Sequence, residues 1–158
     1  MKALIVIYSH SGNTRKIAEM IQKKLGGDIA EIRLKTPYTG SYNSIVEQGK
    51  REVESGFSPA IEPLGVELSK YDTVFLGTPV WWYTFAPAMK TFLEENDLSG
   101  KTVYPFATNG GWLGHTFEDF KKACPGADVK KGLNVYFSSS TLKTKQKEID
   151  SWIERTVD

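Results

Sequence analysis

Short apolar, β-branched runs alternate along this chain with segments whose apolar residues recur at helical spacing. No other feature constrains the fold as strongly. Residues 3–8, 29–34, 73–77, 102–108 and 133–137 read as strands. Between and after them, Ile17, Ile21 and Leu25, then Met89, Phe92 and Leu93, then Phe117, Phe120 and Cys124, and finally Ile149, Trp152, Ile153 and Val157 line up on helix faces. Strands that alternate with helices pair in parallel through crossover connections. Four of the five runs are continuously apolar, as strands covered on both faces are, while residues 29–34 alternate and read as an edge. The expected architecture is a doubly wound α/β sandwich of three layers around a five-stranded parallel sheet, a single domain over residues 1–158.

Local signals refine this picture. Pro87 suits a first helical turn, and Thr116 with Asp119 three positions on reads as a capping box. The loop after the first strand leads into a helix that begins near Arg15. Residues 37–63 interrupt the alternation, with turn-rich flanks around residues 42–53, which fit a short amphipathic helix. They read as an insertion between the second and third strands. Pro105 falls inside the fourth strand, where a missing N–H donor disfavours a central position, so a local irregularity is expected there.

Composition narrows the function. At 158 residues the chain can bury roughly two-thirds of its unfolded surface and needs no covalent staple. Cys124, its one cysteine, reads as a small buried hydrophobe. No apolar run approaches the ~18 residues of a membrane span, and the Met-Lys opening lacks the longer apolar core of a signal peptide, so a cytoplasmic location away from membranes is expected. Residues 1–79 carry 10 basic and 9 acidic side chains and residues 80–158 carry 10 and 10, an evenness that argues against nucleic acid as a partner. Two histidines without a cluster at ligand spacing give no expectation of a metal.

Ligands of open doubly wound sheets bind outside the carboxyl ends of the strands. After the first strand comes Ser9-His10-Ser11-Gly12-Asn13-Thr14. Backbone N–H groups at a helix start, a glycine that admits close approach and four oxygen-bearing side chains suit a phosphate. Plain helix capping would need one such side chain. The loop has no P-loop lysine. After the third strand come Thr78, Pro79, Val80, Trp81, Trp82 and Tyr83, expected in a surface loop, and four of the chain's 19 aromatic residues fall within positions 81–85. Rings placed there suit a planar partner. After the fourth strand come Thr108, Asn109, Gly110, Gly111, Trp112, Leu113, Gly114 and His115, whose glycines let backbone run against a flat ligand and donate N–H bonds. A phosphate site, a planar ring and a near-neutral chain describe a mononucleotide with a flat heterocycle.

These three motifs, in this order at three strand ends, make the chain resemble the flavodoxins, and within them a branch with an insertion after the second strand. The resemblance covers nearly the whole chain and implies the strand order 2-1-3-4-5 and a non-covalent FMN. It implies that Ser9, Ser11, Gly12, Asn13 and Thr14 hold the phosphate with His10 close by. Thr78, Pro79, Val80, Trp81, Trp82 and Tyr83, with Thr108, Asn109, Gly110 and Gly111, flank the isoalloxazine. A backbone carbonyl within residues 81–83 lies near the flavin N5, and no catalytic side chain is implied. The implied function is electron transfer with redox partner proteins, by a monomer or weak homodimer. Shuttling flavodoxins are typically strongly acidic, whereas this chain has a net charge of +1. That departure favours a second reading, a small NAD(P)H-dependent FMN quinone reductase. Tyr83 also stands where many relatives have glycine, which restricts backbone rearrangement on reduction. A third reading, a non-catalytic module that grips a protein with its aromatic loop, predicts an unpigmented protein. Trp112 is compatible with a flavin, a partner or the core.

Overall fold

The computed structural model describes residues 2–157. In chain order the elements are β1 (Ala3–Ile7), α1 (Asn13–Leu25), β2 (Asp28–Glu31), α2 (Tyr42–Ser55), β3 (Thr73–Trp81), β4 (Thr84–Phe85), α3 (Pro87–Glu95), β5 (Thr102–Asn109), α4 (Thr116–Ala123), β6 (Asp128–Val129), β7 (Leu133–Ser138), β8 (Thr141–Leu142) and α5 (Gln146–Arg155). The strands β2-β1-β3-β5-β7 run parallel in that order, which is the expected 2-1-3-4-5 arrangement. Three two-residue strands bring the described total to eight: β4 and β8 pair antiparallel with β3 and β7, and β6 lies parallel to β5. They are too short to carry a period of their own, so the sequence pattern does not show them.

Alternation along β1 sends Leu4 and Val6 to one face of the sheet and Ile5 and Ile7 to the other. The first pair packs with Ala88, Met89 and Phe92 of α3 and Phe120 of α4. The second packs with Ile17 and Ile21 of α1 and Ile149, Trp152 and Ile153 of α5. No helix among the described residues is long and apolar enough to cross a membrane.

Several boundaries differ from the sequence expectation. The second strand ends at Glu31, and Leu34 instead bridges to Ile61, which closes the insertion at its base. The third strand runs on through Thr78 and Pro79 to Trp81, so four of the six residues of the expected aromatic loop are strand. Helix α1 starts at Asn13 rather than near Arg15, Cys124 lies just past α4, and α5 stops at Arg155, leaving Val157 exposed. Thr116 and Asp119 form no capping box. The Thr116 hydroxyl donates to the Leu113 carbonyl, and the Asp119 carboxylate is committed to Thr84 and His115.

Both strand prolines are accommodated by missing neighbours. The Val103 carbonyl accepts from Lys130, so Pro105, two residues on, faces the same edge. There β5 changes partner from β6 to β7 and no donor is required. The Gly77 carbonyl accepts from Tyr8, so Pro79 faces the β1 side just past the point where β1 has ended. Residues 42–53 are helical as expected, within α2.

Candidate functional site

The loop after β1 is built around Gly12, whose φ of 96° places it in the left-handed region. An L side chain there would be strained. This residue turns the chain into α1: its carbonyl accepts the Lys16 N–H, and Ser9 Oγ accepts the Arg15 N–H at 3.2 Å. The first N–H groups of a helix have no partner within it, so those of Gly12, Asn13 and Thr14 are left for an anion. Two side chains tie this loop to others. Thr14 Oγ1 and Thr108 Oγ1, both buried, share a hydrogen bond of 2.7 Å, and Asn13 Nδ2 donates to the Ser139 carbonyl at 2.9 Å. Asn13 Oδ1 is then the one buried side-chain polar atom without a partner among the described residues. A buried acceptor left empty is costly, and a hydroxyl or protonated phosphate oxygen would satisfy it.

The aromatic segment is a hairpin. Val80 pairs with Phe85 and Trp81 with Thr84, leaving Trp82 and Tyr83 at the tip with φ values of 51° and 73°. Two positive φ values in a two-residue connection are usually carried by Asn-Gly pairs, and bulky residues there store about 1–3 kcal/mol each. Contacts from distant elements hold the tip. The His115 N–H donates to the Tyr83 carbonyl at 2.8 Å, Thr84 Oγ1 donates to Asp119 Oδ2 at 2.5 Å, and Trp82 Nε1 donates to the Val46 carbonyl of α2 at 3.2 Å. Lys50 Nζ lies 5.2 Å from the centroid of the Trp82 ring. Thr78 Oγ1 accepts the Ala86 N–H at 3.0 Å and braces the hairpin from within.

Trp81 turns toward the insertion. Its ring meets those of Tyr8, His10 and Tyr38, and it lies so close to α2 that a Cβ on Gly49 would stand 3.1 Å from its Cε3. Behind it, Glu52 is only 8% exposed and accepts from Tyr38 Oη at 2.6 Å and Gln48 Nε2 at 2.9 Å. Burial raises the phenol pKa of Tyr8 and Tyr38 well above the ordinary range, and the Glu52 carboxylate raises both further.

Two clefts open at this end of the sheet. One, of about 220 Å³, is lined by Val80, Trp82, Tyr83 and Trp112. The other, of about 250 Å³, has His10, Val80, Trp81 and Trp82 along one side and Tyr42, Ile45, Val46 and Gly49 of α2 along the other. Beside the first, Gly110 and Gly111 are exposed, with the Gly111 N–H donating to Asn109 Oδ1 at 2.9 Å and Asn109 Nδ2 to Asn134 Oδ1 at 2.6 Å.

The structure thus brings Ser9, Ser11, Gly12, Asn13 and Thr14 into one loop, with Val80, Trp82, Tyr83, Gly110 and Gly111 at the same end of the sheet. Thr78 and Thr108 are buried with their hydroxyls engaged, and Pro79 sits within β3. His10 stands edge-on to Trp81 and Tyr38, on the α2 side of its loop. Sequence reasoning left a flavin, a partner and the core open for Trp112, which is a cleft wall, 73% exposed and so outside the core, and passed over Ser139 and Ser140, whose carbonyls accept from Asn13 and Lys16. The signal for the serines was present, since Ser139 and Ser140 directly follow the fifth parallel strand, where such sheets carry ligand loops.

The flavodoxin family pattern matches residues 2–156. The chain belongs to the flavodoxin family. Among curated flavodoxins, Flavodoxin 1 of Escherichia coli is 32% identical over 102 residues, covering 62% of this chain and 44% of that protein. The chain therefore spans less than half the length of such relatives. A candidate flavoprotein from Bacteroides eggerthii is 31% identical, with a TM-score of 0.83 over 99% of this chain and 98% of its own. A flavoprotein of Lactobacillus acidophilus solved in complex with FMN shares the fold, with a TM-score of 0.75 at 22% identity over 96% of this chain and 97% of its own.

Proposed function

We propose that this member of the flavodoxin family binds FMN non-covalently and transfers electrons to and from redox partner proteins in the cytoplasm. One observation carries the reading: the N–H cradle at the start of α1, with the unpartnered Asn13 Oδ1 in it, opens at the same end of the sheet as the slot walled by Val80, Trp82, Tyr83 and Trp112. The N–H groups of Gly12, Asn13 and Thr14 bind the phosphate with the Ser9 and Ser11 hydroxyls, and Asn13 Oδ1 accepts a hydroxyl from the ligand. Trp82, Tyr83 and Trp112 flank the ring and exclude water, with the Gly110 and Gly111 backbone alongside. At the hairpin tip the Tyr83 carbonyl is committed to His115, so the Trp82 carbonyl is the one left to accept a proton-bearing flavin nitrogen. Bound FMN supplies the one- and two-electron chemistry.

A second reading, direct reduction by NAD(P)H, is favoured by the net charge of +1, because docking between carrier and partner draws on opposed charge. The purified protein, saturated with FMN and freed of excess, is reduced stepwise without oxygen while its visible spectrum is followed. Retained flavin bands that fall in two resolved steps support the carrier. Bands that bleach with NAD(P)H alone support the reductase, and no retained flavin overturns both.

A further inference from the structure

We propose that the cleft between Trp81, Trp82 and α2 is a second ligand site, which takes a flat, uncharged aromatic molecule of one or two rings with a polar oxygen at its rim. The proposal rests on the FMN reading of the neighbouring slot. The two clefts share Val80 and Trp82 as a common wall and differ in everything else that lines them. On that reading Val80, Trp82, Tyr83 and Trp112 would hold the isoalloxazine in the slot toward Trp112, which would leave the α2 side free. The lining residues themselves carry no carboxylate, ammonium or guanidinium, and the nearby Lys50 ammonium is taken up over the Trp82 ring, so the cleft suits stacked, uncharged rings. His10 and Tyr42 place an imidazole and a phenol on that lining, and each can exchange a hydrogen bond with a polar rim.

The walls are fixed. Trp82 is held by its bond to the Val46 carbonyl, and Trp81 packs on Tyr8, Tyr38 and the helix backbone at Gly49. A glycine in mid-helix costs about 1 kcal/mol relative to alanine, and here it admits the indole against α2. The insertion after β2 thereby acquires a role: α2 supplies one side of a second site beside the flavin.

The test uses FMN-loaded protein and β-naphthol, a flat, uncharged molecule that the flavin does not oxidise or reduce, followed by amide and indole NMR shifts. Saturable shifts confined to α2 and the Trp81 and Trp82 indoles are expected. Ile45→Trp, a half-buried position of α2 that fills the cleft, is expected to weaken naphthol by at least about tenfold and to leave FMN affinity within about twofold. Tyr42→Ala, at an 81% exposed position that leaves the core untouched, is expected to weaken naphthol several-fold. Absence of saturable binding, or shifts unaffected by both variants, overturns the proposal. A fall of about tenfold in FMN affinity in Ile45→Trp also overturns it, because the cleft is then the flavin's own. Wild-type protein that retains no FMN brings down the underlying reading and the proposal together, an outcome visible before any naphthol is added.

Discussion

Gly114 touches the hairpin tip so closely that an added Cβ would lie 2.3 Å from the Tyr83 carbonyl oxygen, and its φ of 61° disfavours any side chain. Gly114→Ala is therefore expected to cost about 1–3 kcal/mol of stability and to weaken FMN by pushing Trp82 and Tyr83 out of place; urea unfolding and flavin titration check both. Asn13 gives the second residue-scale prediction. Asn13→Asp loses the amide donor to Ser139 and sets a carboxylate against the phosphate, at a cost of about 2–3 kcal/mol. That corresponds to a roughly hundredfold weaker FMN, and a parent-like affinity would remove Asn13 from the cradle. The two positions differ in how far sequence could reach them. Asn13 was legible because it sits beside a glycine at a strand end, a local pattern with local chemistry. The strained tip was not, because Trp82-Tyr83 lacks the small residues of such turns and is held by His115 and Asp119, which lie more than thirty positions away.

At the scale of elements, the insertion helix α2 is fastened by the buried Glu52 and its bonds from Tyr38 and Gln48. Tyr38→Phe removes one donor from a buried carboxylate and is expected to destabilise by about 1–3 kcal/mol, read from the denaturant midpoint. The same cluster sets an alkaline limit. Tyr8 and Tyr38 hold their protons in the folded state, through burial first and the Glu52 carboxylate second, whereas unfolded tyrosines release theirs near pH ~10. Above that pH the unfolded chain binds fewer protons than the folded one, so stability falls as pH rises, by up to about 1.4 kcal/mol per pH unit for each tyrosine. Below it the contribution is fully present. Denaturant midpoints measured from about pH 9 to about pH 11 should show the fall, to which the buried Cys124 thiol and the Tyr71 phenol, both also raised, add in the same direction. Tyr38→Phe should lower the slope by one tyrosine's share; an unchanged slope would exclude Tyr38 from the effect. The helix itself was legible from the spacing of residues 42–53, and its place against Trp81 was not. Gly49 reads as a weak point in a helix until the indole that needs the space is seen beside it. Likewise Thr78-Pro79 reads as the start of a surface loop, because the absence of a β1 neighbour for Pro79 is a property of the sheet and not of the segment.

For the whole molecule, the alternation of strands and helices was legible because each core strand carries its own apolar run and each crossover its own period, whereas the order of the strands came from the resemblance to the flavodoxins. Charge gave less, since even spacing along the chain names no partner. The candidate site draws on loops from β1, the β3–β4 hairpin and the end of β5, so its ligand bridges elements far apart in sequence, and binding is expected to stabilise the fold as a unit. At a free FMN concentration 100 times the dissociation constant the gain is about 2.7 kcal/mol, equivalent to roughly 5–10 °C in Tm for a chain of this size. Riboflavin separates the two halves of the site, because it keeps the ring and lacks the phosphate. If the α1 cradle binds the phosphate, riboflavin at the same concentration raises Tm by far less, and Asn13→Asp narrows the gap between the two ligands. Equal stabilisation by riboflavin and FMN in the parent protein would mean that the N–H groups of Gly12, Asn13 and Thr14 hold no phosphate, and the site would then reduce to its aromatic slot.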